Sequence, residues 1–316
     1  MSPTLPSFHP SRRSFLESTL ALNLAAPWWT TPEAAPHLRF PAQPRQRLAV
    51  TSYPFREFIA SPTNPAYHYG KFSMDLCQFP SFIAQRFGVS NINPLGDHLP
   101  STDAAYLDRF RQAVETAGSH LVDLGLSGRE FSSPAKADRD EAVAYGRHWI
   151  DIAAILGSPS VRPHLKTAPG AAPSVEYAAE SLGRLAAYGA QKNIVVNLEN
   201  DSPGAEDPFF LVAVLEKVKH PYLRALPDFG NSLRGHDAAY NRKAMERLFP
   251  YACNMCHVKD ILRTKDGQVY QVDLPELFTV ARTHSYRGYF SMEFDTAAGD
   301  PLEGTANLVK QSLQNM

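Results

Sequence analysis

The run Ile194-Val195-Val196-Asn197-Leu198-Glu199 is a largely apolar segment that ends in a carboxylate, as expected of a buried β-strand whose last residue does chemistry. Three later apolar segments, 223–228, 253–257 and 289–293, end in Asp228, His257 and Glu293. If the four strands are parallel neighbours in one barrel, these side chains meet at one end of it. Three carboxylates and one imidazole suit Mn²⁺, Mg²⁺, Co²⁺ or Zn²⁺ better than a soft metal. The pattern therefore predicts one divalent-cation site.

Apolar strands alternate with amphipathic helices along the chain beyond residue 47. The spacing of about 30–40 residues is typical of a (β/α)8 TIM barrel. Strands are predicted to begin near Leu48, Val89, His120, Ser158, Asn193, Leu223, Ala252 and Tyr289. Helices are predicted over 104–117, 140–156, 175–190, 208–218 and 273–284. A doubly wound sheet is the alternative, but it needs a Gly-rich loop where Tyr53-Pro54-Phe55-Arg56 stands.

Length and composition fit one such barrel preceded by a leader. The chain has 316 residues, of which 44% are hydrophobic and 20% charged. A formal net charge of −1 gives no sign of nucleic-acid binding. No run of 18 apolar residues is present, so we expect no membrane span. A homo-oligomer is compatible with the sequence, which does not identify the oligomeric state.

The N-terminal segment Ser11-Arg12-Arg13-Ser14-Phe15-Leu16 resembles a twin-arginine export signal. A modest apolar run over 20–26 and a Pro- and Ala-rich stretch follow it. We interpret residues 1–45 as signal and disordered leader, and residues 46–316 as the barrel. The twin-arginine machinery would then export the folded protein to the periplasm or the exterior. The alternative is a disordered tail in which the arginine pair is incidental.

The sequence Cys253-Asn254-Met255-Cys256-His257 matches the C-x-x-C-H signature of c-type haem attachment. Side chains alternate in a strand, so the two thiols would face opposite sides with Cα atoms about 10 Å apart. They could then neither attach one haem nor form a disulfide, which needs Cα atoms within about 7 Å. The sequence therefore predicts no haem.

Residues 48–312 resemble the xylose isomerase-like barrels, which include sugar isomerases and epimerases, hydroxypyruvate isomerase, inosose dehydratase and endonuclease IV relatives. The most specific motifs are Asn197-Leu198-Glu199-Asn200, Pro227-Asp228-Phe229-Gly230-Asn231, His257-Val258-Lys259-Asp260 and Met292-Glu293-Phe294-Asp295. The resemblance implies that Glu199, Asp228, His257 and Glu293 hold one divalent ion, often Mn²⁺. It also implies that Glu199 and Glu293 transfer protons on either side of the substrate.

Further positions bear on the substrate. Arg162 and His164 end the fourth predicted strand and are candidate substrate-binding residues. Asn231 and Lys259 are candidates too, and they stand where ketohexose 3-epimerases of this family usually have His and Arg. The resemblance therefore does not identify a ketohexose as the substrate.

These observations predict a metal-dependent isomerase or epimerase that acts through an enediolate on an unphosphorylated sugar or keto-sugar. Phosphorylated sugars are scarce outside the cytoplasm, and Ile261-Leu262-Arg263-Thr264-Lys265 replaces a Gly-rich phosphate loop after strand 7. A keto-glycoside lyase or hydratase, or an inosose-type dehydratase, is the alternative on the same site. A metal-dependent phosphodiesterase and a non-catalytic sugar-binding barrel are the alternatives from other functional classes.

Overall fold

The computed structural model describes Met1, residues 34–68 and residues 72–316. The arginine pair Arg12-Arg13 and most of the leader assigned from sequence lie outside the described residues. Within the described part of the chain, no helix is long and apolar enough to span a membrane.

Parallel strands form the predicted barrel. Two hydrogen-bonded sheets have the strand orders β3-β2-β1-β11-β8 and β4-β5-β6-β7, and the bridges Leu95–Gly125 and Asp228–His257 join them at both edges. Because β3 and β4 follow each other in one pass of the chain, they act as one barrel strand, and eight strands close the barrel as predicted. The strands are β1 (Leu48–Thr51), β2 (Asn91–Asn93), β3 (His120–Leu121), β4 (Leu124–Arg129), β5 (Ser160–Leu165), β6 (Val195–Glu199), β7 (Leu223–Leu226), β8 (Met255–Val258) and β11 (Tyr289–Met292).

Helices between the strands pack on the outside of the barrel. The five predicted helices are present, and α5 has the predicted bounds, with Pro208 in its first turn and Asp207 accepting from the N–H groups of Phe209 and Phe210. Three further helices, α1, α6 and α8, were not singled out from the sequence. The helices are α1 (Phe79–Phe87), α2 (Ala104–Thr116), α3 (Lys136–Leu156), α4 (Val175–Lys192), α5 (Pro208–Val218), α6 (Ala238–Leu248), α7 (Leu274–Thr283) and α8 (Pro301–Asn315).

Several strands begin two or three residues later than predicted because the preceding residues end the connection from the previous helix. Asn193, for example, adopts φ +56° as the left-handed cap of α4, so β6 begins only at Val195. The hairpin of β9 (Ile261–Arg263) and β10 (Val269–Gln271) was also missed.

The apolar core lies mostly between strands and helices, whereas the barrel interior is apolar only at one level. Ala49, Val122, Leu226 and Met255 form that small interior cluster. Along β8, Met255 faces the interior and Cys256 packs into the outer core, the alternation expected of a strand.

Candidate active site

The structure brings the four predicted ligand-type residues to one end of the barrel. Glu199 is the last residue of β6, Asp228 lies two residues after β7, His257 belongs to β8, and Glu293 directly follows β11. Each offers one ligand atom, and these atoms all lie within 4.8 Å of one another. All four side chains are buried, so the carboxyl ends of successive parallel strands have assembled one enclosed cluster.

The imidazole of His257 lies between the three carboxylates. Its Nδ1 is 2.6 Å from Glu199 Oε1, 3.2 Å from Glu293 Oε2 and 3.9 Å from Asp228 Oδ2. Burial acts to lower the pKa of His257, but the charges of Glu293 and Glu199 outweigh it and raise the pKa to about 10. Without a metal, the ring is therefore an imidazolium at neutral pH.

Neighbouring positive charges keep both glutamates ionised. Burial acts to raise the pKa of Glu199, but the charges of Arg162 and His257 lower it to about 2. The pKa of Glu293 is likewise held well below its ordinary value, against burial, by His257 and Lys259. Burial raises the pKa of Asp228 despite the nearby charge of Lys259.

Lys259 and Asn231 form one side of the cluster. The Lys259 ammonium is 2.9 Å from Asp228 Oδ2 and 2.8 Å from Glu293 Oε2, and it donates to Asn231 Oδ1 at 2.9 Å. The other Asp228 oxygen accepts from the backbone N–H groups of Gly230 and Asn231. One oxygen of Asp228 thus caps the turn that follows it, and the other faces the cluster. The positive charges of Lys259, Arg162 and His257 balance the three carboxylates.

Arg162 and His164 form the opposite side. The guanidinium of Arg162, which is 1% exposed, donates from Nη1 to Glu199 Oε2 at 2.6 Å and lies 2.8 Å from His164 Nε2. A Cβ atom at Gly125 would lie 2.5 Å from Arg162 Nη2 and 2.6 Å from Leu95 Cδ2, so a larger residue there would displace one or both of these side chains. His164 is half-buried.

A cavity of about 250 Å³ opens above the cluster. Glu199 and Glu293 line it, whereas Asp228 and His257 are fully buried beneath it. Arg162, His164 and Lys259 also face the cavity, and Asn231 lies behind Lys259. The cluster therefore has two enclosed members and two members that can reach a small molecule.

Sequence reasoning missed two buried residues that support His257. Asn93 Oδ1 lies 2.9 Å from His257 Nε2, and Asn93 Nδ2 donates to Asp123. Asp123, which is fully buried, also lies 3.7 Å from Arg162 Nε, and burial raises its pKa. A carboxylate inside the apolar run Leu121-Val122-Asp123-Leu124 was the signal that could have identified it, because an unpartnered charge there would be costly.

The donor set fits a divalent cation. An amide oxygen only accepts hydrogen bonds, so Asn93 fixes the proton of neutral His257 on Nε2 and leaves Nδ1 free as a ligand. Nδ1 is also the nitrogen that faces Glu199, Glu293 and Asp228. Carboxylate oxygens and one imidazole nitrogen are ligands that Mn²⁺, Mg²⁺ and Zn²⁺ accept.

Comparison with known proteins gives one family and several related structures. The sequence model of the xylose isomerase-like TIM barrel family matches residues 83–315. No curated protein sequence matches the chain significantly.

Three solved structures illustrate the likeness. A xylose isomerase-like TIM barrel protein from Mycobacterium smegmatis, in complex with magnesium, has TM-score 0.65 and 18% identity, covering 85% of this chain and 96% of that one. D-allulose 3-epimerase from Methylomonas sp. has TM-score 0.64 and 17% identity, covering 88% and 99%. L-ribulose 3-epimerase has TM-score 0.64 and 14% identity, covering 85% and 94%. At these identities the likeness shows the fold.

Proposed function

This chain belongs to the xylose isomerase-like TIM barrel family, and from that premise we propose that it is a divalent-metal-dependent isomerase or epimerase of an unphosphorylated sugar or keto-sugar. The observation that carries the proposal is the buried cluster of Glu199, Asp228, His257 and Glu293 beneath one cavity. The sugar 3-epimerases among the structural neighbours support the same reaction class.

The proposed metal ligands are the four residues of this cluster, with Mn²⁺ favoured and Mg²⁺, Co²⁺ or Zn²⁺ as alternatives. A divalent ion held there would stabilise negative charge on substrate oxygens next to the reacting carbon. Asp228→Ala and His257→Ala should each abolish binding of about one ion per chain while the variants stay folded. Full metal occupancy in both variants would contradict the assignment of these ligands.

Glu199 and Glu293 are the proposed proton-transfer groups, because both line the cavity and both are held ionised. One carboxylate removes a proton from the carbon next to a carbonyl, and the other returns a proton. Return to the opposite face of the same carbon gives an epimer, and return to the neighbouring carbon gives an isomer.

The remaining cavity side chains suit hydroxyl groups better than a phosphate. Arg162 and Lys259 are already engaged with the carboxylates of the cluster. Three further carboxylates line the cavity, those of Asp97, Asp201 and Asp295, and the further cation in the lining, Arg234, is paired with Asp201. A phosphate dianion would be repelled by them, which supports an unphosphorylated substrate.

We also propose that residues 1–45 direct this protein out of the cytoplasm. The support is the sequence Ser11-Arg12-Arg13-Ser14-Phe15-Leu16, and export before the reaction agrees with a substrate that carries no phosphate.

Proton exchange with solvent tests the reaction. A sugar that turns over in deuterated water should gain deuterium at the carbon next to its carbonyl. Glu199→Gln and Glu293→Gln keep the shape of the side chain and should lower kcat by roughly 100-fold or more. Metal content must be measured in both variants, since a lost ion would lower kcat by itself. Undiminished turnover in both variants would remove the glutamates from the reaction.

A further inference from the structure

A second polar cluster, outside the four proposed metal ligands, lies on the cavity wall. Its centre is the carboxylate of Glu206, which is 4% exposed. Oε1 lies 2.9 Å from His164 Nδ1 and accepts from the backbone N–H of Leu165 at 2.8 Å, and Oε2 accepts from Ser202 Oγ at 2.8 Å. Three donors from three directions hold this carboxylate in one position.

The partners of His164 determine where its ring proton lies. Arg162 Nη1, which can only donate, is 2.8 Å from His164 Nε2, so Nε2 must carry a lone pair. The single proton of the neutral ring is then on Nδ1, where it is donated to Glu206. A second proton on Nε2 would place two donors against each other at this distance. Arg162 and Glu206 together therefore set the tautomer of His164.

Arg162 Nη1 and His164 Nε2 are a donor and an acceptor side by side, and both residues line the cavity. In this structure the two atoms satisfy each other. A hydroxyl group can replace that contact with two hydrogen bonds, because its oxygen accepts from Arg162 while its hydrogen is donated to His164.

We propose that Arg162 and His164 form a binding site for one sugar hydroxyl, and that Glu206 is the positioning residue that fixes the direction of its hydrogen bonds. This inference deepens the proposed function and rests on it. The substrate must carry a free hydroxyl at this position. An ether oxygen has no hydrogen to donate to Nε2, and a phosphate ester would meet the carboxylates of Glu199 and Asp201, which line the cavity.

The charged groups around His164 favour a proton on its ring, and Glu206 is the group that holds that proton at Nδ1. Burial acts to lower the pKa of His164, but the hydrogen bond to Glu206 raises it above its ordinary value, as do the nearby charges of Glu206 and Asp201. The charged groups around the ring are Glu206, Arg162 and Asp201, whose Oδ2 is 3.7 Å from Nδ1 and whose Oδ1 pairs with Arg234.

The tautomer can be tested without turnover. In the full chain loaded with diamagnetic Mg²⁺ at mildly alkaline pH, nitrogen NMR should show His164 as a neutral ring protonated on Nδ1, with His164→Gln used for assignment. Glu206→Leu removes the acceptor for the Nδ1 proton and should weaken or abolish the preference for the Nδ1 tautomer, whereas a ring that stays fully protonated on Nδ1 in this variant would overturn the role of Glu206. Ser202→Ala, which removes a donor to Glu206 without touching His164, should leave the tautomer unchanged. A wild-type ring protonated on Nε2 would overturn the role of Glu206.

The hydroxyl site is tested by binding of ketoses to the same preparation, with D-fructose, D-psicose and L-ribulose as probes. A ketose that binds should shift the Nε2 resonance of His164, and one of its mono-O-methyl derivatives should bind roughly tenfold more weakly or worse. Glu206→Leu should abolish most of that discrimination, and thermal unfolding should show that the variant is folded. If no ketose shifts Nε2, the hydroxyl site is wrong, whereas the metal and deuterium experiments judge the proposed function separately.

Discussion

Asn93→Ala should weaken metal binding without removing any proposed ligand. The substitution deletes the oxygen 2.9 Å from His257 Nε2, so the imidazole loses the contact that fixes its tautomer and its orientation. Loss of such a supporting contact typically lowers metal affinity by roughly 10- to 100-fold, or about 1.4–2.7 kcal/mol.

Competition with a fluorescent chelator for Mn²⁺ or Zn²⁺ measures this change, and thermal unfolding of the metal-free proteins measures stability beside it. Asn91→Ala is a matched control, because Asn91 is buried in the same strand but donates to the carbonyl groups of Gln46 and Leu48. Both variants should lose about 1–3 kcal/mol of stability, but only Asn93→Ala should lose affinity. Equal metal affinities in Asn93→Ala and wild type would refute the prediction that Asn93 holds His257 in position for the metal.

Three further outcomes are expected. Metal binding near neutral pH should release about one proton, because the pKa of His257 is about 10 without metal and the ligand is the neutral ring. The metal affinity should therefore rise as the pH increases towards 10. Calorimetry in buffers of different ionisation enthalpy measures the number of protons released, and a value of zero would contradict this prediction. Gly125→Ala should displace Arg162 Nη2, 2.5 Å from the new Cβ, and lower kcat by about tenfold or more; unchanged kinetics would exclude that contact. Residues 1–45 should export a folded reporter, and replacing Arg12 and Arg13 with Lys should stop export; equal export would make the pair incidental.

The ligand-type residues at the ends of the strands were predictable because each can be recognised from its neighbours in the sequence. An apolar run that stops at a carboxylate or an imidazole is visible residue by residue, as in the segment ending at Glu199. Parallel strands in a barrel all point the same way, so residues at their carboxyl ends must converge, and the cluster within 4.8 Å followed from that rule. The roles of Glu199, Asp228, His257 and Glu293 as metal ligands and proton carriers stay predictions.

The buried polar residues that hydrogen-bond to the two site histidines were not predictable in the same way. Asn93 lies 164 residues from His257, and Glu206 lies 42 residues from His164. Asparagine and glutamate at such positions are ordinary surface or cap residues in a sequence, and nothing local indicates which buried group they face. The hairpin of β9 and β10 was missed because each strand has only three residues, too few to show an alternation of apolar and polar side chains.

The (β/α)8 architecture, the end of the barrel that carries the site and the residue types gathered there all followed from the amino-acid order. Periodicity and strand polarity decide these features, and both depend on neighbours along the chain. The charges that balance the cluster, and the positions of the ring protons of His257 and His164, became clear from the folded chain. Those properties depend on distances of about 3 Å between residues from different strands, because hydrogen-bond direction and charge interactions in a buried site change steeply with position.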